Sequence, residues 1–340
     1  MKNQNNRRSK TMEAKNALTN LLYLKEEVMA ALIVSLLNKS NEAIYWAYEL
    51  HYSRYHAELF DLLEKVYYYF YATLNPNFKS FLNRKITEWH ETSDIQIIHA
   101  IVANLLIRSF NLDIFMLVQT CKSIKIPPNF DGDLTSLLSA KKYATVAKYV
   151  LHICSEAELG TSNSRLEHLA QILQPITAQK TGRKTGHQLY LIDEYVGPEI
   201  DDSQIPYKLL ETFCKYGVND SGLLGAFHLN RPVDFKQSWY TNWLYYASWS
   251  PAWSERIESY GGKRDEEKYA ILFESEDLEE AFYKTFGLEP DEQKRETQEK
   301  IIPLIPEIKV SEFYERFKGV NGIYNVTKNA QEKLKSLVIY

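Results

Sequence analysis

The sequence predicts an all-α protein, a multihelical array of antiparallel helix hairpins with a more irregular helical C-terminal half. Three observations lead there. Apolar residues recur at three- and four-residue steps through most of the first half, one segment is apolar on every side, and only 188–192 and 269–273 read as strands.

The all-round apolar segment is 26–37. It contains Val28, Met29, Ala30, Ala31, Leu32, Ile33, Val34, Leu36 and Leu37, with Ser35 the single interruption. A helix without a polar face must be enclosed by others, so this one is expected at the centre of a helical core. A turn over 38–40 folds it back on a second helix. That helix is expected to bury Ala43, Ile44, Ala47 and Leu50, to turn Glu42, Tyr45 and Glu49 outward, and to start at Ser40 or Asn41 as N-cap. Next, Leu59, Leu62, Leu63, Val66, Tyr67, Phe70, Tyr71 and Leu74 form the clearest helical period in the chain, stopped by Asn75-Pro76. A shorter helix is expected over 77–89. Ser93 with Gln96 has the capping-box spacing and opens a helix burying Ile98, Ile101, Val102 and Leu105. Helical patterns continue over 111–121, 134–140, 143–154 and 165–173, with a turn-rich connection at 126–133.

Composition then shifts. Of 13 glycines only Gly132 and Gly160 precede residue 182, and of 11 prolines only Pro76, Pro127 and Pro128 precede residue 175. The predicted organisation is a disordered basic arm (1–11), an N-terminal helical domain (12–174), a linker (175–187) and a C-terminal, aromatic-rich, mostly helical domain (188–340). In the last of these, 206–216 reads as a helix, and Ser250-Pro251 as an N-cap and first-turn proline of a helix ended by Gly261-Gly262. Residues 265–300 carry 13 acidic against 5 basic residues; within them Ser275 caps a helix burying Leu278, Phe282 and Phe286. Helices near 310–318 and 327–338 follow Pro303 and Pro306.

A net charge of −4 argues against a protein that coats nucleic acid non-specifically. Cys121, Cys154 and Cys214 are odd in number and far apart, as in a reducing compartment. No apolar stretch follows the charges of the N-terminus, and the longest uncharged apolar run, 95–107, is short for a bilayer. The expectation is a soluble, cytoplasmic protein with no membrane segment.

No chemical motif is complete. Gly182–His187 has glycine, lysine and threonine without the P-loop order, and Gly217, Gly222 and Gly225 miss the dinucleotide spacing. His51 and His56 are five apart and His152 and Cys154 two apart, both poor for a shared helical face. Cys214, His228 and Asp220 form a triad only on paper, Ser221 lacks a nucleophile elbow, and His99 reads as a core histidine. Asp201-Asp202 and the acids of 265–280 are a Mg²⁺ site only if folded together, and otherwise a solvated face. No catalytic residue, metal or cofactor is predicted.

The aromatic residues are the more specific signal. The chain has 24 Tyr, 15 Phe and 6 Trp. Trp239, Trp243, Trp249 and Trp253 fall within fifteen residues, as core anchors of a helix pair, as a recognition surface, or as a stacking platform for single-stranded nucleic acid. With Tyr45, Tyr48 and Tyr52 on the second helix they are the candidate partner-binding residues. The sequence thus reads as a non-enzymatic scaffold or adaptor binding a protein partner. The alternative is a replication or transcription accessory protein touching nucleic acid through Arg7, Arg8, Lys180, Arg183 and Lys184.

Two resemblances accompany this reading. Lys25-Glu26, Ala31-Leu32-Ile33-x-Ser35-Leu36, Ala43-x-Tyr45-Trp46 and Leu50 resemble the helical domain behind the ATPase module of clamp-loader-related replication proteins. The similarity is confined to 25–50; the ATPase module is absent, so no activity carries over. The run from Tyr67 through Pro76, with Gly322-Ile323-Tyr324-Asn325, is similar to uncharacterised helical proteins of large nucleocytoplasmic DNA viruses. That resemblance implies a viral protein of the host cytoplasm or virion and supplies no functional residues.

Overall fold

Enclosure of the first apolar helix fixes the centre of the structure. A computed structural model describes residues 17–126, 133–152, 162–182, 222–229, 236–286 and 309–324, with side chains excepted at 162 and 236–241. Helix α1 (Lys25–Leu37) buries every residue from Val28 to Leu37. It packs against α2 (Glu42–Tyr52) across a turn in which Lys39 takes φ +58°. The lysine keeps that left-handed backbone because its ammonium reaches the C-terminal end of the later helix α5 (Ile95–Ile107). There it donates to the carbonyls of Leu105 (3.0 Å) and Arg108 and lies over the Tyr71 and Phe110 rings.

Helix α2 corrects the expected faces. Asn41 is the N-cap residue but makes no side-chain cap; Ser40 Oγ accepts from Glu42 N–H instead. Tyr48 and Glu49 are buried, and Ile44 is only half-buried. Segment 17–24 lies against this side, and Glu49 Oε1 accepts the Leu21 N–H at 2.7 Å, a tertiary bond that helical periodicity does not reveal.

Helix α3 (His56–Val66) continues into a π-helical turn, Tyr67–Tyr71, where Ala72 N–H donates to the Tyr67 carbonyl at 2.9 Å. The wider turn lets five successive aromatic residues all be buried, which a plain α-helix of that period would not. Helix α4 (Phe78–Thr92) follows and packs against α5. The cap of α5 is Asp94, accepting from Gln96 N–H at 2.9 Å, rather than the expected Ser93, which takes φ +54° to end α4.

Helices α6 (Asp113–Cys121), α7 (Leu134–Ser139), α8 (Tyr143–His152) and α9 (Ser162–Thr181) complete the first half, with α8 packed on both α6 and α9. Pro175 lies inside α9, so residues 175–181 of the expected linker are helical. Buried Leu173 and Thr177 pin the helix on either side of the proline.

Short α10 (Leu223–Phe227), α11 (Lys236–Ala247) and α12 (Pro251–Ser259) follow. Asn242 breaks helical geometry inside α11 (φ −125°), so 239, 243 and 247 do not share one uninterrupted helical face. Ser250 stands at the expected N-cap of α12, but its hydroxyl donates to the Ser53 carbonyl instead. Gly262 N–H returns to Ile257 carbonyl as that helix ends. The strand expected at 269–273 forms β2 (Ala270–Leu272), antiparallel to β1 (Lys263–Asp265). Helix α13 (Glu276–Phe286) has its Ser275 cap and buries Phe282 as expected, whereas Leu278 and Phe286 are only half-buried, and α14 (Val310–Phe317) is the last described helix.

The fold is all-α, and its buried apolar residues form one cluster running from Ala17 to Ile323. No described helix is long and apolar enough to cross a membrane. The predicted elements at 188–192, 206–216 and 327–338 and the arm 1–11 lie outside the described residues.

Candidate functional site

The aromatic candidates divide by burial. Trp253 is fully buried, its indole N–H donating to the carbonyls of Thr19 and Asn20 at 3.1 and 3.2 Å. Trp243 is buried edge-on against it, ring centres 5.7 Å apart. Trp249 is half-buried under the Arg264 guanidinium, 3.8 Å above its ring, and the Trp239 side chain lies outside the described residues. Tyr48 is buried with its hydroxyl 3.3 Å from His99 Nδ1, while half-buried Tyr45 shares a hydroxyl contact with Tyr23 at 3.2 Å. Tyr52 is half-buried and edge-on to Tyr48. Of the readings open to the cluster, Trp243 and Trp253 take the interior one, and the Trp253 indole fastens α12 onto segment 17–24. Of the basic candidates, Lys180 is exposed on α9 and Arg7, Arg8, Arg183 and Lys184 lie outside the described residues.

Basic side chains that the sequence leaves scattered are brought together elsewhere. Lys122 ends α6, His152 ends α8, Arg165 sits in the first turns of α9, and His228 ends α10 with φ +56°. All four line one cavity of about 260 Å³. A helix C-terminus favours a cation, so three of these positions have a local reason for a basic residue. Their convergence on one space is tertiary. Among the described residues no acidic side chain lines that cavity. Val118, Leu151, Leu166 and Ala226 give it an apolar floor, and the Tyr69 hydroxyl, on the π-turn, donates to the Ala226 carbonyl at 3.1 Å.

The site is held in place by a few specific bonds. Arg165 donates from one terminal nitrogen to the Leu151 carbonyl at 2.8 Å, which ties α9 to the end of α8. Its Nε is buried without a hydrogen-bond partner among the described residues, a cost that buried donors rarely carry. Lys122 Nζ donates to Gln119 Oε1 at 2.9 Å, and Gln119 Nε2 reaches the Gly222 carbonyl. Gly222 has φ +80°, and a Cβ there would meet the Gln119 side chain at 3.0 Å, so glycine is needed at this entry to α10. Gly225 leaves open the space beside Lys122, whose Nζ would stand 3.7 Å from a Cβ at that position.

Desolvation leads the electrostatics of the site, and at His152 crowded positive charge adds to it. The His152 pKa is lowered by burial first, then by Lys148, Arg165 and Lys122. Partial desolvation by the surrounding cavity walls lowers the Lys122 pKa as well, although much of its side chain reaches solvent. Lys122, His152 and His228 are exposed at the mouth and Arg165 is half-buried, so the group is open to a solute. A second cavity, about 190 Å³ beside Tyr67 and Tyr68, offers a contrast. Its Lys79 is ion-paired with Glu167, which also accepts from the Tyr68 hydroxyl, so its charge is already balanced.

Other sequence candidates resolve differently. His51 and His56, expected to be badly spaced, are brought together because Arg54 (φ +62°) reverses the chain between α2 and α3. Their ring centres are 5.0 Å apart, and His56 Nε2 donates to the His51 carbonyl. No group of three or more His, Cys, Asp or Glu among the described residues is disposed to hold a metal ion. Cys121 is buried and free. Cys154, Cys214, Asp220, Ser221, Asp201 and Asp202 lie outside the described residues. Comparison with protein-family models, with curated proteins and with solved structures finds no match to the chain.

Proposed function

We propose that this protein is a helical binding module for a small anion, seated among Lys122, His152, Arg165 and His228. The observation that supports this reading most is the convergence of four basic side chains from four helices on an open cavity with no acid among its described lining residues. Surface cations are ordinarily interspersed with acids. Like charges gathered without a counter-charge destabilise the fold and are relieved by a bound anion. The test is isothermal titration of the full chain with orthophosphate, sulfate and citrate at low ionic strength. Saturable binding that weakens with added salt and is lost in Arg165→Met and Lys122→Met is the expected result. A flat titration with all three anions rules the reading out.

A protein-binding role is the second reading, and what supports it lies away from the tryptophans. Tyr269 and Leu272, two of the three large apolar side chains exposed among the described residues, stand on the β1–β2 hairpin. Exposed Glu276, Asp277, Glu279 and Glu280 follow directly at the start of α13. An apolar tip beside an acidic helix suits a basic, apolar-anchored segment of a partner protein. Tyr269→Ser with Leu272→Ser is expected to abolish binding of lysine- and leucine-containing peptides from an array. Binding retained in the double variant removes this reading.

A further inference from the structure

We infer that the occupant of the basic cavity is a small organic phosphate, its dianionic head among Lys122, His152, Arg165 and His228 and its organic part on the apolar floor. The inference rests on the anion-binding reading and narrows it to one ligand class.

Charge and shape argue for phosphate over carboxylate. A carboxylate is planar and carries one charge, and a single guanidinium fork satisfies it. Here four donors of three types arrive from the ends of four helices. A tetrahedral dianion presents three terminal oxygens, each able to accept more than one bond, and distributes its charge over all of them. Arg165 supplies a planar fork, one arm of which is fixed on Leu151 while Nε has no partner among the described residues. Lys122 supplies a point charge oriented by Gln119, and the two imidazoles can each donate.

Size argues for an ester over the free ion. At roughly 30 Å³ per water in the liquid, a cavity of about 260 Å³ has room for more than a phosphate head. The side chains of Val118, Leu151, Leu166 and Ala226 are apolar, and the Leu151 and Ala226 carbonyls already accept from Arg165 and Tyr69. The Tyr69 hydroxyl is committed to the Ala226 carbonyl, so the floor favours carbon. A nucleic-acid strand would instead call for an extended groove lined by several aromatic rings, whereas Tyr69 is the one Phe, Tyr or Trp lining this cavity among the described residues.

The same geometry couples binding to protons. The charged groups around His152 are Lys148 on its own helix, Arg165 on α9 and Lys122 on α6, all positive, with His228 across the cavity. A dianion placed among them replaces repulsion with attraction, so the imidazole takes up a proton as the ligand enters. With one linked proton, affinity changes by at most about tenfold per pH unit. It should rise from pH 8.5 towards pH 6.5 and level off where the phosphate's own second ionisation, near pH 6, removes its charge.

The experiment is calorimetric titration of the full chain with glycerol 3-phosphate, orthophosphate and succinate, at pH 6.5 and 8.5 and in two buffers of different ionisation enthalpy. Glycerol 3-phosphate is expected to bind tightest and succinate weakest, with proton uptake on phosphate binding that is reduced at least twofold in His152→Gln. Gly225→Val keeps all four basic residues but fills the space beside Lys122, and is expected to lower phosphate affinity at least tenfold with the circular dichroism spectrum unchanged. Succinate binding as tightly as either phosphate, or phosphate binding without proton uptake, overturns the phosphate inference and leaves the anion site standing. Phosphate binding unaffected by Gly225→Val places the ligand elsewhere and overturns the inference too. Absence of binding by all three solutes overturns both.

Discussion

The Asp113 carboxylate accepts the backbone N–H of Tyr324 at 2.9 Å and that of Ile323 at 3.0 Å, across more than two hundred positions of sequence. It also accepts from Asn111 and Thr177 side chains. A buried carboxylate in the first turn of α6 is thus the point where the 319–324 segment, α9 and the central helices are joined. Asp113→Ala orphans the buried Ile323 N–H and the half-buried Tyr324 N–H, and is expected to cost about 1–3 kcal/mol for the former and less for the latter, read as a lowered midpoint in urea. Gly322→Ala should be comparably severe, since a Cβ there would overlap the same carboxylate. If the two variants unfold at the wild-type midpoint, the segment is not held by Asp113.

Acid sensitivity is expected from buried histidines. His99 is fully buried and desolvation holds its pKa at about 4; burial and then His56 hold His51 at about 4 as well. Both folded-state values lie below the unfolded value of about 6.5, so the unfolded chain binds more protons between those limits. Stability is therefore full above pH 6.5 and falls as pH drops from 6.5 towards 4. Urea midpoints measured at pH 7.5, 6, 5 and 4.5 should decline through that window. His99→Gln should flatten the decline; an equally steep curve in that variant would show that His99 does not contribute to it.

Lys39 sets two effects against each other. Glycine at this left-handed position would relieve backbone strain of roughly 1 kcal/mol. It would also remove an amino group that serves two helix-terminal carbonyls and the Tyr71 hydroxyl; desolvation and then Arg108 lower its pKa to about 7, so at pH 6 it is charged and its bonds are worth about 1.5–3 kcal/mol. The second effect is larger, so Lys39→Gly should lower the thermal midpoint and Lys39→Met should lower it further. A rise in midpoint for Lys39→Gly would mean that the ammonium contributes little.

Trp253 separates interior from surface. Trp253→Phe keeps most of the packing and loses the indole bonds to Thr19 and Asn20, an expected cost of about 1–2 kcal/mol. Trp253→Ala should cost about 3–5 kcal/mol. Anion affinity measured under native conditions should be unchanged in Trp253→Phe. A selective loss of affinity with stability intact would return the tryptophan to the binding machinery.

These contrasts show what one-dimensional pattern carries. That α1 is enclosed was legible, because a helix apolar on all sides has no other stable position, and the hairpin with α2 followed from the short turn. The fate of Glu49 was not, since its partner is a backbone N–H on a segment whose path no periodicity describes. The tryptophans announced a special region, but composition cannot separate an interior anchor from an exposed one until Thr19 and Asn20 supply the acceptors. The basic cavity left the weakest trace. Lys122, His152, Arg165 and His228 each sit at a helix end, where a cation or a polar residue is unremarkable, and only the packing of α6, α8, α9 and α10 makes them neighbours. His228 entered the sequence reading solely as a member of an arbitrary triad. Acids are distant in sequence only from Lys122 and His228, since Glu156 follows His152 by four residues and Glu167 follows Arg165 by two, so no local charge pattern singles out the site.

The π-turn at Tyr67–Tyr71 has a further consequence for how this chain tolerates insertion and deletion. Its Ala72–Tyr67 bond spans five residues where an α-helix spans four, so the segment carries one residue more than its length in space requires. Each residue of an α-helix advances the face by about 100°. Excising one tyrosine would restore ordinary pitch and swing everything beyond it by that angle. Thr73, which donates to Asn111, and Asn75, which donates to the Ser109 carbonyl, would be carried off their partners. The Tyr69 side of the cavity would turn with them. The surplus residue therefore acts as a phase shifter between the first three helices and the rest. Relatives of this chain that bind the same ligand should keep the residue count between Val66 and Asn75 even where the aromatic residues themselves change.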